Sequence, residues 1–206
     1  ASHMGRPKGE PDPRFSLKKV SQRLSQLIDT PVAFAPDCIG NDVIRMVDQL
    51  EAAQILMLEN LRFHAQEKSN DDEFSKQLAA LCDIYVNNAF AVSHRDQASV
   101  TGIPRFVKEK AAGFLLEKEV QSYYDSVEDP KRPLLAVIGG AKVSSKLAAL
   151  ENMLKLVDRM VIGGAMANTF LNARGVDTKG SMIEPELLKT AKGILDMAEQ
   201  NGVELM

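Results

Sequence analysis

Arg6, Arg62 and Arg95 are the side chains of this sequence best suited to hold a multiply charged anion. A guanidinium presents a rigid fork of donors that matches phosphate or carboxylate. Arg6 lies in the loop His3-Met4-Gly5-Arg6-Pro7, Arg62 in Glu59-Asn60-Leu61-Arg62-Phe63-His64 and Arg95 in Ser93-His94-Arg95. Singly, each reads as an ordinary solvated surface arginine. All three fall beside expected strand ends, the edge where an open α/β sheet takes its ligands. His3, His64 and His94 each stand within a few residues of one of these arginines, placed to contact an anion or to orient the guanidinium. Zinc is not expected, since no His pair has i, i+4 spacing and no Cys is nearby.

A second candidate is Gly139-Gly140-Ala141-Lys142-Val143-Ser144-Ser145-Lys146. Glycines between a strand and a helix let backbone amides approach a phosphate at the positive end of the helix. Lys142 and Lys146 are four residues apart, so on a helix both point the same way. Neither GxxxxGK[ST] nor GxGxxG is present, and the bland reading is a tight turn with surface lysines. Gly163-Gly164-Ala165-Met166 echoes the first turn. It reads either as a flat slot for a purine or as a point of close helix–strand packing. No GxSxG, CxxC or HExxH occurs, so hydrolase and metalloprotease templates do not apply. The methionines, Met182 among them, read as apolar filler.

These residues need a scaffold, and the 206-residue chain has the composition of an ordinary globular protein: 45% hydrophobic and 26% charged residues. Its 25 Lys+Arg against 28 Asp+Glu leave a net charge of −3. No general basic field is available for nucleic acid or an anionic membrane, so an anion must find a local cluster. No stretch approaches the length of a membrane span, and nothing at the start reads as a secretion signal, which makes the cytoplasm the expected compartment. Cys38 and Cys82 have no CxxC partner and are expected to be free, buried thiols.

Short apolar runs alternate with amphipathic segments along the chain. Strands are expected at 32–35, 55–58, 84–86, 134–138, 160–162 and from 203. Helices are expected from Ser16 to Ile28, from Asn41 to Leu50, from Asn70 or Asp71 to Leu81, from Gly113 to Glu128, from Ser144 to Leu156, through Leu171, and from Glu184 to Gln200. The pattern implies an α/β fold with parallel sheets. The two strand–Gly-Gly–helix units suggest a second α/β domain that begins after the long helix.

Taken together, the segments resemble the phosphoglycerate kinase family. SHMGRPKG is similar to that family's SHLGRPxG loop, and LENLRFH to its ENxRF segment. YVNNAFAVSHRDQASVTG is similar to VNDAFGTAHRAxAS, AVIGGAKVSSKL to GGAKVxxK, and VIGGAMANTFL to GGGMAxTFL. Order and spacing agree over all 206 residues. Ser2-His3-Met4 also matches the scar of a cleaved expression tag; the resemblance favours a native loop. Asn88 stands for the family's Asp, Ala91-Val92 for Gly-Thr, and Ala165 for a third glycine.

The resemblance implies two Rossmann-like, three-layer αβα domains with parallel sheets, both incomplete here. Residues 1–112 would be part of a phosphoglycerate-binding domain, 113–129 an interdomain helix and hinge, and 130–206 part of a nucleotide-binding domain. It implies reversible phosphoryl transfer between 1,3-bisphosphoglycerate and Mg-ADP, giving 3-phosphoglycerate and ATP, in a cytoplasmic monomer. His3, Arg6, Arg62, His94 and Arg95 would bind phosphoglycerate. Lys142 would contact the moving phosphoryl group, with Arg6, Arg62 and Arg95 in catalytic roles. Gly140, Ala141, Lys142, Lys146, Gly163, Gly164 and Met182 would line the nucleotide site. Magnesium would be held by substrate phosphates and by an aspartate outside these 206 residues, so this chain alone is expected to be inactive. The competing expectation is a non-catalytic folding or assembly fragment that at most binds phosphoglycerate. A nicotinamide-binding Rossmann domain is disfavoured by the missing GxGxxG and its acidic partner.

Overall fold

A computed structural model describes residues 1–206. The chain divides into two compact units, Ala1–Val120 and Gln121–Met206.

In the first unit, α1 (Lys18–Ile28) buries Ser21, with Leu17 buried at its N-cap, while Leu27 is 65% exposed and the expected apolar stripe is little used. Ser16 accepts from the Lys18 amide at 3.2 Å and donates to Glu59 at 2.6 Å. β1 (Val32–Phe34) pairs in parallel with β2 (Ile55–Met57) across α2 (Asn41–Asp48). A short α3 (Ala65–Ser69) precedes α4 (Asp72–Ala79), which Asp71 caps by accepting from the Phe74 amide at 2.8 Å. β3 (Ile84–Asn87) pairs in parallel with β4 (Glu109–Ala112). The core gathers Ala35, Val43, Leu61, Phe74, Leu78 and Ile103. An apolar slot of about 410 Å³ runs between Leu56 and Leu58 on one side and Ile84 and Val86 on the other.

β4 is not expected from its sequence. Glu-Lys-Ala-Ala favours helix and shows no alternation; pairing with β3 overrides that preference. Cys38 is buried and Cys82 exposed, which corrects the expectation of two buried thiols.

α5 (Phe114–Tyr123) continues into a π-helical turn, Tyr124–Glu128. In the second unit β5 (Leu135–Gly139), β6 (Arg159–Gly163) and β7 (Glu204–Leu205) form one parallel sheet in that order. The connections are α6 (Leu147–Met153), then α7 (Met166–Ala173) and α8 (Leu188–Gln200). Each parallel pair therefore has a helical crossover, as an α/β unit requires. Met160 and Ile162 point into a core with Leu150, Leu154, Met166, Phe170 and Ile194. Leu135 and Val137 lie 50% and 71% exposed. No helix is long and apolar enough to cross a membrane.

Candidate functional site

The first unit builds its basic cluster on a buried polar hub. Asn60, fully buried just past β2, donates through Nδ2 to the Met4 carbonyl at 2.8 Å and the Phe15 carbonyl at 2.9 Å. Its Oδ1 accepts from the Arg62 amide at 3.0 Å. Leu61 donates its amide to the Ser2 carbonyl at 3.2 Å. Glu59 accepts from Ser16 Oγ, and from the Leu17 and Asn60 amides, both at 2.8 Å. These bonds fasten the loop of His3 and Arg6 to the segment of Arg62. Glu59 and Asn60 are not among the residues singled out from the sequence; a polar pair directly after an apolar run was the available signal.

Arg62 is only 7% exposed. Its Nη1 donates to the Gly5 carbonyl at 2.9 Å, while its buried Nε has no partner. A buried donor left unmatched is costly, and here it belongs to a cation. Burial pushes the Arg62 guanidinium below its ordinary value, and Arg95 and Arg6 push it the same way. His3 is held below the usual imidazole value by burial and by Arg62 and Arg95. His3, Arg6, Arg62 and Arg95 thus share one positive field, and Arg6 and Arg95 keep exposed side chains. His94 is exposed on the Arg95 loop, with no contact that ties it to the others.

His64 serves otherwise. Its Nε2 lies 2.7 Å from Asp37 Oδ1 and its ring stacks on Phe74 at 5.2 Å. Asp37, Cys38 and His64 place potential ligand atoms within 4.8 Å of one another. Burial and the Asp37 charge push the Cys38 thiol far up, so it stays protonated and ligates metal poorly.

The second unit presents the Gly139–Lys146 loop differently from its sequence reading. α6 begins at Leu147 rather than Ser144, with Lys146 at its cap. Lys142 therefore precedes the helix, and the one-turn relation between the two lysines does not hold; both are exposed. The amides of Val143 and Ser144 are taken by Glu184, whose Oε2 accepts from both and whose Oε1 accepts from Ser144 Oγ at 2.6 Å. Those hydrogen bonds hold the Glu184 carboxyl below the usual carboxylate range, Ser144 contributing most. The expected amide cradle for phosphate is thus filled by the protein's own carboxylate. Lys142 and Lys146, with the turn at Gly140 and Ala141, remain for a ligand.

Gly163 ends β6 opposite Gly139, and the Met166 amide donates to the Gly140 carbonyl at 2.9 Å. The two Gly-Gly turns pack backbone to backbone, so close packing is realised at Gly164. Met182 is 51% exposed, and its carbonyl accepts from Asn168 Nδ2 at 3.2 Å. Glu184, two residues further on, donates its amide to the buried Thr169 Oγ1 at 3.1 Å.

Parallel α/β units, with a buried arginine after β2 and a lysine-bearing Gly-Gly turn after β5, define a protein of the α/β class. The phosphoglycerate kinase family model matches residues 1–206. The phosphoglycerate kinase of Desulforapulum autotrophicum is 57% identical over 206 residues, covering 100% of this chain and 53% of the relative. That of Syntrophobacter fumaroxidans is 52% identical over 205 residues, covering 100% and 52%. The structure of phosphoglycerate kinase from Coxiella burnetii superposes with a TM-score of 0.82 at 38% identity, covering 100% of this chain and 51% of that one. The chain belongs to the phosphoglycerate kinase family, and it spans about half the length of the curated relatives it matches.

Proposed function

We propose that the protein of which these residues form part transfers a phosphoryl group between 1,3-bisphosphoglycerate and ADP, giving 3-phosphoglycerate and ATP. The observation that carries this reading is Arg62: buried, anchored on Gly5 by one nitrogen, with Nε unmatched amid His3, Arg6 and Arg95. That arrangement suits a small dianion such as the phosphate of phosphoglycerate. His94 joins this group on the strength of the resemblance.

In the forward direction the bond from phosphorus to the acyl oxygen breaks, and a bond forms from phosphorus to the terminal phosphate oxygen of ADP. The leaving carboxylate is already a stable anion and the attacking oxygen is already ionised, so no side chain needs to move a proton. The chain's own contribution is position and positive charge. Arg6, Arg62 and Arg95 neutralise the phosphoglycerate end. Lys142 meets the moving group and Lys146 the nucleotide phosphates. Gly140, Ala141, Gly163, Gly164 and Met182 form the adenine side.

Magnesium accompanies the nucleotide in this reading. The carboxylate at the Lys142 loop, Glu184, has both oxygens engaged by Val143 and Ser144, so it does not fit a metal ligand. Residues 113–129 act as the connecting helix and hinge between the phosphoglycerate and nucleotide domains, in a cytoplasmic monomer.

The 206 residues alone are inactive in this reading, because the resemblance sets the metal-binding aspartate outside them, and they retain phosphoglycerate binding. Calorimetry with 3-phosphoglycerate and with ADP, beside a coupled assay, tests this. Phosphoglycerate binding without turnover is expected. Absence of phosphoglycerate binding favours a purely structural fragment, and robust ATP formation by the isolated chain overturns the assignment of inactivity.

A further inference from the structure

Glu67 is 1% exposed, on α3 five residues beyond Arg62. Its carboxylate forms no ion pair. It accepts only from Ser99, from the amide at 3.0 Å and from Oγ at 2.6 Å. A buried carboxylate so sparsely bonded is expensive unless it sits in a positive potential or holds something in place. Both conditions are met. The potential comes from Arg62, whose charged form Glu67 favours while Arg95 and Arg6 oppose it.

What Glu67 holds is Ser99, four residues after Arg95. Ser99 is gripped a third time by Tyr85, whose hydroxyl donates to its carbonyl at 2.7 Å. It lies in a π-helical turn, Ala98–Gly102, in which the amides of Val100, Thr101 and Gly102 converge on the Gln97 carbonyl at 3.0, 2.9 and 3.3 Å. The turn that closes the Arg95 loop is therefore stiff in itself and pinned to α3 by one carboxylate.

We propose that Glu67 is a positioning residue of the basic cluster: through Ser99 it fixes the loop carrying His94 and Arg95 against the segment carrying Arg62. The exposed Arg95 and the buried Arg62 come from elements far apart in sequence, and an anion can span them only if their spacing is set beforehand. Glu67 sets it from behind without occupying the site. As a site role, this rests on the phosphoglycerate reading above.

Hydrogen–deuterium exchange and calorimetry with 3-phosphoglycerate on wild type, Glu67→Ala, Glu67→Gln and Ser99→Ala test the proposal. Glu67→Ala is expected to speed exchange of amides 95–102 about tenfold, with amides 159–163 unchanged, and to weaken phosphoglycerate binding by a similar factor. Gln can still accept from the Ser99 amide and donate to its hydroxyl, so Glu67→Gln is expected to restore both. Unchanged exchange at 95–102 in Glu67→Ala overturns the proposal, as does acceleration spread evenly over residues 1–120. If Glu67→Ala does not fold, Ser99→Ala is judged by the same criteria. If the wild type binds no phosphoglycerate, the functional reading falls, and the exchange comparison alone decides whether Glu67 anchors the loop.

Discussion

Gly164 lies so close to Gly140 that a methyl group in place of its hydrogen would stand 2.7 Å from the Gly140 carbonyl oxygen and 3.0 Å from its nitrogen. Gly164 also has φ of +72°, a conformation that L side chains rarely adopt. Gly164→Ala therefore meets both a backbone clash and backbone strain, and should cost about 1–3 kcal/mol. Gly163 next to it has nothing within 4 Å of such a methyl group, and Gly163→Ala should stay within about 1 kcal/mol of wild type. Urea denaturation of the two variants reads the difference. Equal losses would contradict the close packing of the two turns.

Arg62→Lys keeps the charge and loses the fork. A lysine reaches either the Gly5 carbonyl or the anion, whereas Arg62 can hold Gly5 with Nη1 and still has Nη2 to offer. Phosphoglycerate affinity should fall by about tenfold or more, and Arg62→Ala should lower it further. Calorimetry on both variants, with circular dichroism to confirm the fold, checks this ordering. Equal affinity in wild type and Arg62→Ala would remove Arg62 from the site.

Much of this arrangement could be read from the sequence. The apolar runs locate all six expected strand starts within a residue, and Arg62, Arg95 and Lys142 each follow a strand, because side-chain pattern alone marks a buried strand and the loop after it. Long-range polar contacts leave no such mark. Glu184 reaches Val143 across 41 residues and Glu67 reaches Ser99 across 32, yet each looks like one more charge on a solvated face. α6 starts three residues later than its pattern suggests, after a tight turn in which the Lys146 amide donates to the Val143 carbonyl at 2.9 Å. β4 stayed hidden because its four exposed residues have no pattern of their own.

If the basic cluster takes phosphoglycerate as proposed, His3 should make that binding dependent on pH. Burial, Arg62 and Arg95 hold its imidazole below the ordinary value of about 6.5, so the free site carries it neutral at pH 7. A bound dianion reverses the local potential and raises that pKa. Binding near pH 6 should therefore take up a fraction of a proton, visible as calorimetric enthalpies that vary with the ionisation enthalpy of the buffer. Without ligand the sign is opposite. The folded state binds fewer protons than the unfolded one, so this group lowers stability as pH falls below about 6.5. His3→Gln should abolish the buffer dependence; its persistence would assign the proton to another group.

Asn88 occupies the position where the family resemblance has aspartate, and its side chain explains why the exchange is tolerated. Its Oδ1 accepts from the amides of Leu115 at 2.8 Å and Leu116 at 3.4 Å. It thus supplies from β3's end the acceptor that the first turn of α5 lacks locally. A carboxylate would accept equally and add a favourable charge at the positive helix end. Asn88→Asp should leave stability unchanged or raise it by up to about 0.5 kcal/mol at low salt, with the gain fading as salt is added. Asn88→Ala removes the acceptor and should cost about 1 kcal/mol. Chemical denaturation at two salt concentrations separates the outcomes. A destabilised Asn88→Asp would mean that the amide nitrogen, rather than the accepting oxygen, is what this position requires.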